Sequence, residues 1–338
     1  MATDIRQNAA TMPAADFEKF IKACVVLKST MVSGTSFSVY DQWVAIHGSI
    51  MGVRTPGSTM FTNLGHQNIG FLPWHREYLR RFELALQAAV PGATIPYWSW
   101  EMTPEPSTLF SNARIHRIFF AATNASAIGG LFASTGPQTP PAWWPSGFRW
   151  RVHSALQVGA APTLRRGSPA DSWPPSLTSL SAIERINTAP AGVNVYWVFW
   201  RELESGARTH NTGHNIVGGY MMNPVFSPND PLFWLHHAAV DRVWARWQAN
   251  RVTAGATLLA SYPAPTERSP FNNQLPPNGH RRDDLLWPWI GTTAGYAVNS
   301  PAAVQAMLPS FSAVAPRRVR DTFDIANLGG GLGGYQYT

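Results

Sequence analysis

His210 and His214 stand four residues apart in His210-Asn211-Thr212-Gly213-His214. On a helix their imidazoles leave the same face, one turn above the other. A third histidine follows in Asp230-Pro231-Leu232-Phe233-Trp234-Leu235-His236-His237. A lone histidine in an apolar helical stripe is usually a core residue with one satisfied hydrogen bond. Three on two helices, two of them at i and i+4, are the pattern of a metal site. A second group lies upstream, with His47 in Val44-Ala45-Ile46-His47 and both His66 and His75 in the stretch from Gly65 to Arg76. The chain has ten histidines, and these are the six that form a pattern.

The surrounding sequence supplies helices to carry them. Asp230 followed by Pro231 reads as an N-cap carboxylate and a ring already set to helical φ. Phe233, His237, Val240, Trp244 and Trp247 then recur along one stripe. Pro73 reads as another helix opening, with His75, Leu79, Phe82 and Leu86 sharing a face. His47 follows Trp43 by one turn on a segment running from about Val39. Residues 48–70 form a glycine-containing turn region that places His66 on irregular backbone. A helix from about Pro13 to Ser29 turns Phe17, Phe20, Ile21 and Cys24 inward, and Pro91-Gly92 stops the His75 helix. The expected fold is mainly α: a four-helix bundle with its metal site in the core, long surface loops and a few short strands.

From Glu101 to Val193 prolines crowd the chain and helical periodicity is lost, so loops with short strands are expected there. His116 and His153 have no partner at ligand spacing. After Trp247 a second loop-rich region contains His280 and Leu286-Trp287-Pro288-Trp289, a segment expected to pack on the core. The glycine-rich tail 329–334 is flexible by composition.

At 338 residues and 45% hydrophobic, the chain can bury a large core. Both histidine groups must meet in space, so residues 1–338 are read as a single domain. There is no apolar run of membrane-spanning length, and the N-terminus has no signal-peptide pattern. The single cysteine, Cys24, excludes an internal disulfide framework and fits a reducing compartment. A cytoplasmic location is expected, or export without a signal peptide of its own. The net charge of +7 is dispersed over a chain that is only 13% charged. No recognised nucleic-acid module accompanies it, so nucleic acid is rejected as a partner.

The two histidine groups are similar to the CuA and CuB signatures of the tyrosinase superfamily, which also contains catechol oxidases and hemocyanins. The likeness includes the gap from His66 to His75, the His-x-x-x-His of His210 and His214, and the Asn-Asp-Pro-x-Phe-x-x-His-His run. It also includes Asp241, Arg242, Trp244 and Trp247. Ile5-Arg6, Leu27-Lys28, Ile95 to Trp100 and Tyr335-Gln336-Tyr337 fall where small bacterial tyrosinases carry similar strings. The likeness covers nearly the whole chain and is weakest from about Glu101 to Tyr196. In some members a cysteine two residues before the second CuA histidine forms a thioether, and here that position is Leu64.

The resemblance implies two copper ions, CuA and CuB, each held by three histidines, with dioxygen as co-substrate. Imidazoles without a carboxylate or thiolate suit copper, whereas hydrolytic zinc sites typically add a carboxylate or keep a water. The expected metal ligands are His47, His66, His75, His210, His214 and His237. His236 abuts His237, and adjacent helical residues point about 100° apart, so both cannot easily face one ion. Asp241 at i+4 and the stripe through Phe233 favour His237. In the family an asparagine after the first CuB histidine and an upstream glutamate hold a water thought to deprotonate the phenol. Asn211 fills the first place, and Glu204 the second with Glu202 as a fallback. By the same likeness Asn215, Met222, Asn223 and Pro224 border the substrate entrance.

The implied activity is that of a tyrosinase: ortho-hydroxylation of monophenols and oxidation of o-diphenols to o-quinones. Alternatives are a catechol oxidase or o-aminophenol oxidase without monophenol hydroxylation, or a hemocyanin-like oxygen carrier. The expected partners are small phenols and a copper-delivery protein of the caddie type, with no membrane. Larger members follow a motif like Tyr335-Gln336-Tyr337 with a shielding domain. Here the chain stops at Thr338, and no built-in shield is expected.

Overall fold

The computed structural model describes residues 4–99, 130–133, 135–137, 139–164, 180–206, 209–292 and 294–338. Strand β1, Asp4–Arg6, leads into α1, Ala14–Ser29. Helix α2, Val39–Ile50, follows, opened by a reciprocal capping box. Ser38 Oγ accepts the Asp41 N–H at 3.1 Å, and Asp41 Oδ2 accepts the Ser38 N–H at 3.0 Å. Asp41 also forms a buried ion pair with Lys28 on α1, so the cap fixes the start of α2 and its distance from α1 together.

After β2, Val53–Arg54, the chain runs without regular structure to α3, Phe71–Ala89. This helix starts two residues before the expected opening at Pro73. A proline is tolerated there because first-turn N–H groups have no intrahelical partner. The expected face of His75, Leu79, Phe82 and Leu86 is buried. Helices α4, Leu180–Glu184, α5, Tyr196–Ser205, and α6, His210–Val217, lead to α7, Leu232–Thr253. Helix α7 begins one residue later than expected, with Pro231 rather than Asp230 at the N-cap position, but Asp230 Oδ1 still accepts the Leu232 N–H at 3.0 Å and so satisfies a first-turn donor.

Helix α3 packs against both α1 and α7, and α6 packs against α5 and α7. The stripe of Phe233, His237, Val240, Trp244 and Trp247 is buried, and with it nearly every side chain of the first half of α7. A continuous core runs from Phe17 through Trp74 and Trp234 to Trp289. The mainly helical fold, with histidines carried by α2, α3, α6 and α7, agrees with the sequence expectation.

Strands β3, Ala297–Val298, and β4, Tyr335–Tyr337, complete two small sheets. β1 pairs in parallel with β4, and β2 is antiparallel to β3. Among the described residues no strand falls in the proline-rich region, where short ones were expected. One sheet instead ties residues 4–6 to 335–337, and the other ties the start of the loop that carries His66 to residues 297–298. The glycine-rich tail is not slack: Arg80 Nε donates to Leu332 O at 2.8 Å. His116 lies outside the described residues. Among those described, no helix is long and apolar enough to cross a membrane.

Candidate metal centre

His47 on α2, His75 on α3 and His66 from the loop between them bring candidate ligand atoms within 4.8 Å of one another. His47 Nδ1 donates to Val225 O at 3.2 Å, and His75 Nδ1 donates to Phe71 O at 2.9 Å. A carbonyl can only accept, so each Nδ1 carries the proton and each Nε2 presents a lone pair. Those two Nε2 atoms, and Nδ1 of His66, are buried without a hydrogen-bond partner.

The second group is tighter. The Nε2 atoms of His210, His214 and His237 lie 3.0, 3.0 and 3.2 Å apart in a triangle. His214 Nδ1 donates to Met221 O at 2.8 Å, and His210 Nδ1 donates to Asn211 Oδ1 at 3.0 Å. At least two of the three Nε2 atoms therefore point lone pairs at each other, which is repulsive unless a cation sits among them. A carbonyl partner on the far nitrogen is also how ligand imidazoles are usually oriented. The donors are imidazoles with no carboxylate or thiolate, a set that suits two copper ions.

The groups face each other across the α3–α7 contact. The rings of His75 and His237 stack at 4.3 Å between centroids. Phe71 lies 4.7 Å from both His75 and His210, and Phe233 lies 4.9 Å from His47 and 4.1 Å from His237. Phenyl walls exclude water, and burial opposes protonation. It lowers His47 to about 3 and His214 to about 4. His66, His75, His210 and His237 are also held well below the ordinary value, by burial first and then by neighbouring imidazoles. All are neutral, hence able to bind metal, at physiological pH.

His236 also reaches within 4.8 Å of ligand atoms of His210 and His214, so two neighbouring residues compete for the third position. Its Nε2, however, donates to His210 O at 3.0 Å. Its ring lies over Gly213, where a Cβ would stand 2.2 Å from Cε1. Gly213 thus makes room for His236 to brace α6, while His237 turns into the triangle.

The residues expected to handle protons are separated by burial. Glu204 is buried on α5, whereas Glu202 is exposed. Glu204 Oε1 accepts the Gln67 N–H at 2.7 Å, and Oε2 accepts the Trp200 indole N–H at 2.6 Å. Burial raises its carboxyl to about 8 against the pull of those two bonds. Gln67 has φ of 58° next to His66, a strained geometry that the bond to Glu204 helps to hold. Asn211 is exposed, bonded to His210, with its amide 3.5 Å from Ser205 Oγ.

Of the expected entrance residues, Asn215 on α6 and Met222 and Pro224 in the segment that follows it are exposed. Asn223 instead turns its Oδ1 back to the N–H groups of Val225 and Phe226, both at 2.9 Å. His153 packs on Phe37 and bonds to Ser36, away from both groups. Sequence reasoning missed the backbone acceptors at Phe71, Met221 and Val225. No residue type marks them, since every residue offers the same carbonyl.

Residues 37–250 match the family model for the common central domain of tyrosinase. A tyrosinase from Streptomyces glaucescens is 32% identical over 292 residues, spanning 83% of this chain and 95% of the relative. A grixazone synthase from Streptomyces griseus is 30% identical over 268 residues, spanning 72% of this chain and 84% of the relative. A polyphenol oxidase variant from Thermothelomyces thermophila has a similar fold, with a TM-score of 0.62 at 17% identity, over 99% of this chain and 89% of that one.

Proposed function

The chain belongs to the tyrosinase family of copper oxidoreductases, and from that premise we propose that it hydroxylates monophenols in the ortho position and oxidises o-diphenols to o-quinones. The reading takes residues 1–338 as one catalytic domain. His47, His66 and His75 hold one copper, and His210, His214 and His237 hold the other. The observation that carries this is the triangle of Nε2 atoms facing a second histidine group across α3 and α7.

Copper, when bound, supplies the redox chemistry with dioxygen that no side chain here provides. The protein contributes the rest. Backbone carbonyls fix the imidazole tautomers, and Phe71 and Phe233 keep water from the core of the site. A monophenol arrives protonated, since phenols titrate near 10 like tyrosine. Asn211 and Glu204 are proposed to hold the water that takes this proton. Asn215, Met222 and Pro224 shape the entrance, with Asn223 fixing the turn between them.

A second reading has a specific observation behind it. Each oxygen of Glu204 already accepts one protein hydrogen bond, which leaves fewer acceptor sites for a water and supports, as the second reading, a catechol or o-aminophenol oxidase that does not hydroxylate monophenols. Oxygen uptake by copper-loaded protein, measured separately with tyrosine, catechol and o-aminophenol, separates the two. Uptake with tyrosine supports the tyrosinase reading. Uptake with catechol or o-aminophenol alone supports the narrower one, and reversible oxygen binding without turnover overturns both.

A further inference from the structure

His66 is the one proposed ligand that no helix carries, so its place depends on what holds residues 63–67. Asn63 Oδ1 accepts the N–H groups of Gly65 at 3.0 Å and His66 at 2.9 Å, folding the loop around its own side chain. Asn63 Nδ2 donates to Met51 Sδ at 3.3 Å. The Gln67 N–H is held by Glu204. A further bond comes from far along the chain: His280 Nε2 lies 3.1 Å from Asn63 O. The acceptor is a carbonyl, so Nε2 must carry the proton and donate.

His280 is fully buried, and its own backbone is pinned. Its carbonyl accepts the Tyr262 hydroxyl at 2.7 Å, and its N–H donates to Pro277 O at 3.2 Å. The ring lies flush against Gly70, the residue that opens α3, where a Cβ would stand 2.4 Å from His280 Nδ1. That Nδ1 is buried without a hydrogen-bond partner. An unpaired buried nitrogen costs free energy, so a hydrocarbon would fill this space better if filling were the task. The imidazole is instead suited to one job, reaching a single carbonyl in the His66 loop while wedged against the start of the His75 helix.

We propose that His280 is a positioning residue for the first copper site, setting the His66 loop against α3 through its hydrogen bond to Asn63. The inference rests on His66 being a ligand, and the test keeps the two questions apart. Full-length His280→Leu, His280→Gln and His66→Ala variants are loaded with copper and dialysed against a graded chelator. Copper per chain is measured together with the cupric electron paramagnetic resonance signal. A coupled pair of cupric ions is silent, and a single remaining ion is visible.

His280→Leu, which removes the donor, should hold one of its two coppers about 10–100-fold more weakly and become visible. His280→Gln, whose amide N–H can reach the same carbonyl, should stay silent and keep both. His280→Met, an adaptable apolar side chain, carries the same test should the leucine variant not fold. His66→Ala should lose the same single copper. Two silent coppers at native affinity in the donor-less variants would overturn the proposal. So would equal losses in the leucine and glutamine variants, or loss of both coppers together. If His66→Ala keeps both coppers, the ligand assignment has failed whatever the His280 variants do.

Discussion

Arg76 Nε donates to Asp241 Oδ1 at 2.5 Å, joining α3 to α7 beside both histidine groups. Arg76 follows His75 directly, and Asp241 lies one turn beyond His237. The ion pair thus sets the distance between the helices whose imidazoles stack at 4.3 Å. The other oxygen of Asp241 accepts Arg6 at 3.2 Å and the hydroxyls of Tyr335 at 2.5 Å and Tyr337 at 2.7 Å. One carboxylate therefore gathers both chain termini and the two helices. Burial would raise Asp241, but Arg76 and Arg6 hold it below its ordinary value, so it stays charged.

Asp241→Asn should be strongly destabilising, because it leaves Arg76 and Arg6 with less compensating charge in a dry interior. Breaking a buried pair from one side typically costs about 3–5 kcal/mol. Urea unfolding of the apoprotein measures this directly. A midpoint within error of the native protein would show that the network does not brace the α3–α7 contact.

The neighbouring histidines should separate cleanly. His237→Ala turns a three-ligand copper into a two-ligand one, and should lose that copper and turnover. His236→Ala removes a bond to the His210 carbonyl, and should keep both coppers with a smaller loss of activity. Metal analysis after gel filtration decides, and a reversed order would hand the ligand position to His236.

Glu204→Gln and Asn211→Ala should lower tyrosine hydroxylation by about 10–100-fold, the usual effect of losing a partner behind a metal site. Catechol oxidation and copper content should stay near native, since a catechol is more acidic and can chelate. Damage to the His66 loop through Gln67 would lower both activities and copper together. A proportional fall in both rates at full copper would exclude a role for these residues in monophenol deprotonation.

The apoprotein should lose stability as pH falls from about 6.5, where histidine titrates in an unfolded chain. Folded His47 resists protonation down to about 3, and His214 and His280 down to about 4. Between those limits the unfolded state binds more protons, so unfolding becomes easier with acid. Glu204 runs the other way, since its folded carboxyl titrates at about 8 and favours the folded state as pH drops towards the ordinary carboxylate range. Several buried imidazoles outweigh one carboxyl below about 6.5. A urea midpoint that stays flat or rises from there down to about 4 would contradict this balance.

Much of the site was legible from local pattern alone. His210 and His214 at i and i+4, Phe233 and His237 on one stripe, and Asp230 before Pro231 are properties of a single helix. Helical geometry makes such spacing readable without knowledge of the rest of the chain. The Ser38 and Asp41 capping box is equally local, yet it was recognised only in the structure. The family strings placed Glu204 ahead of Glu202, whereas the difference in their burial, Glu204 inside and Glu202 exposed, came only with the fold.

Other features were decided only in three dimensions. The tautomers of His47 and His214 depend on the carbonyls of Val225 and Met221, and any residue type could have supplied them. The glycine-rich tail looked slack because composition registers only intrinsic freedom, yet Arg80 and the β1–β4 pairing hold it. The His66 loop is braced by His280 across 217 positions of sequence, and no periodicity spans such a gap. Local geometry is written in spacing, whereas these contacts exist only because close packing of α3, α7 and the later loops brings distant backbone within hydrogen-bond reach.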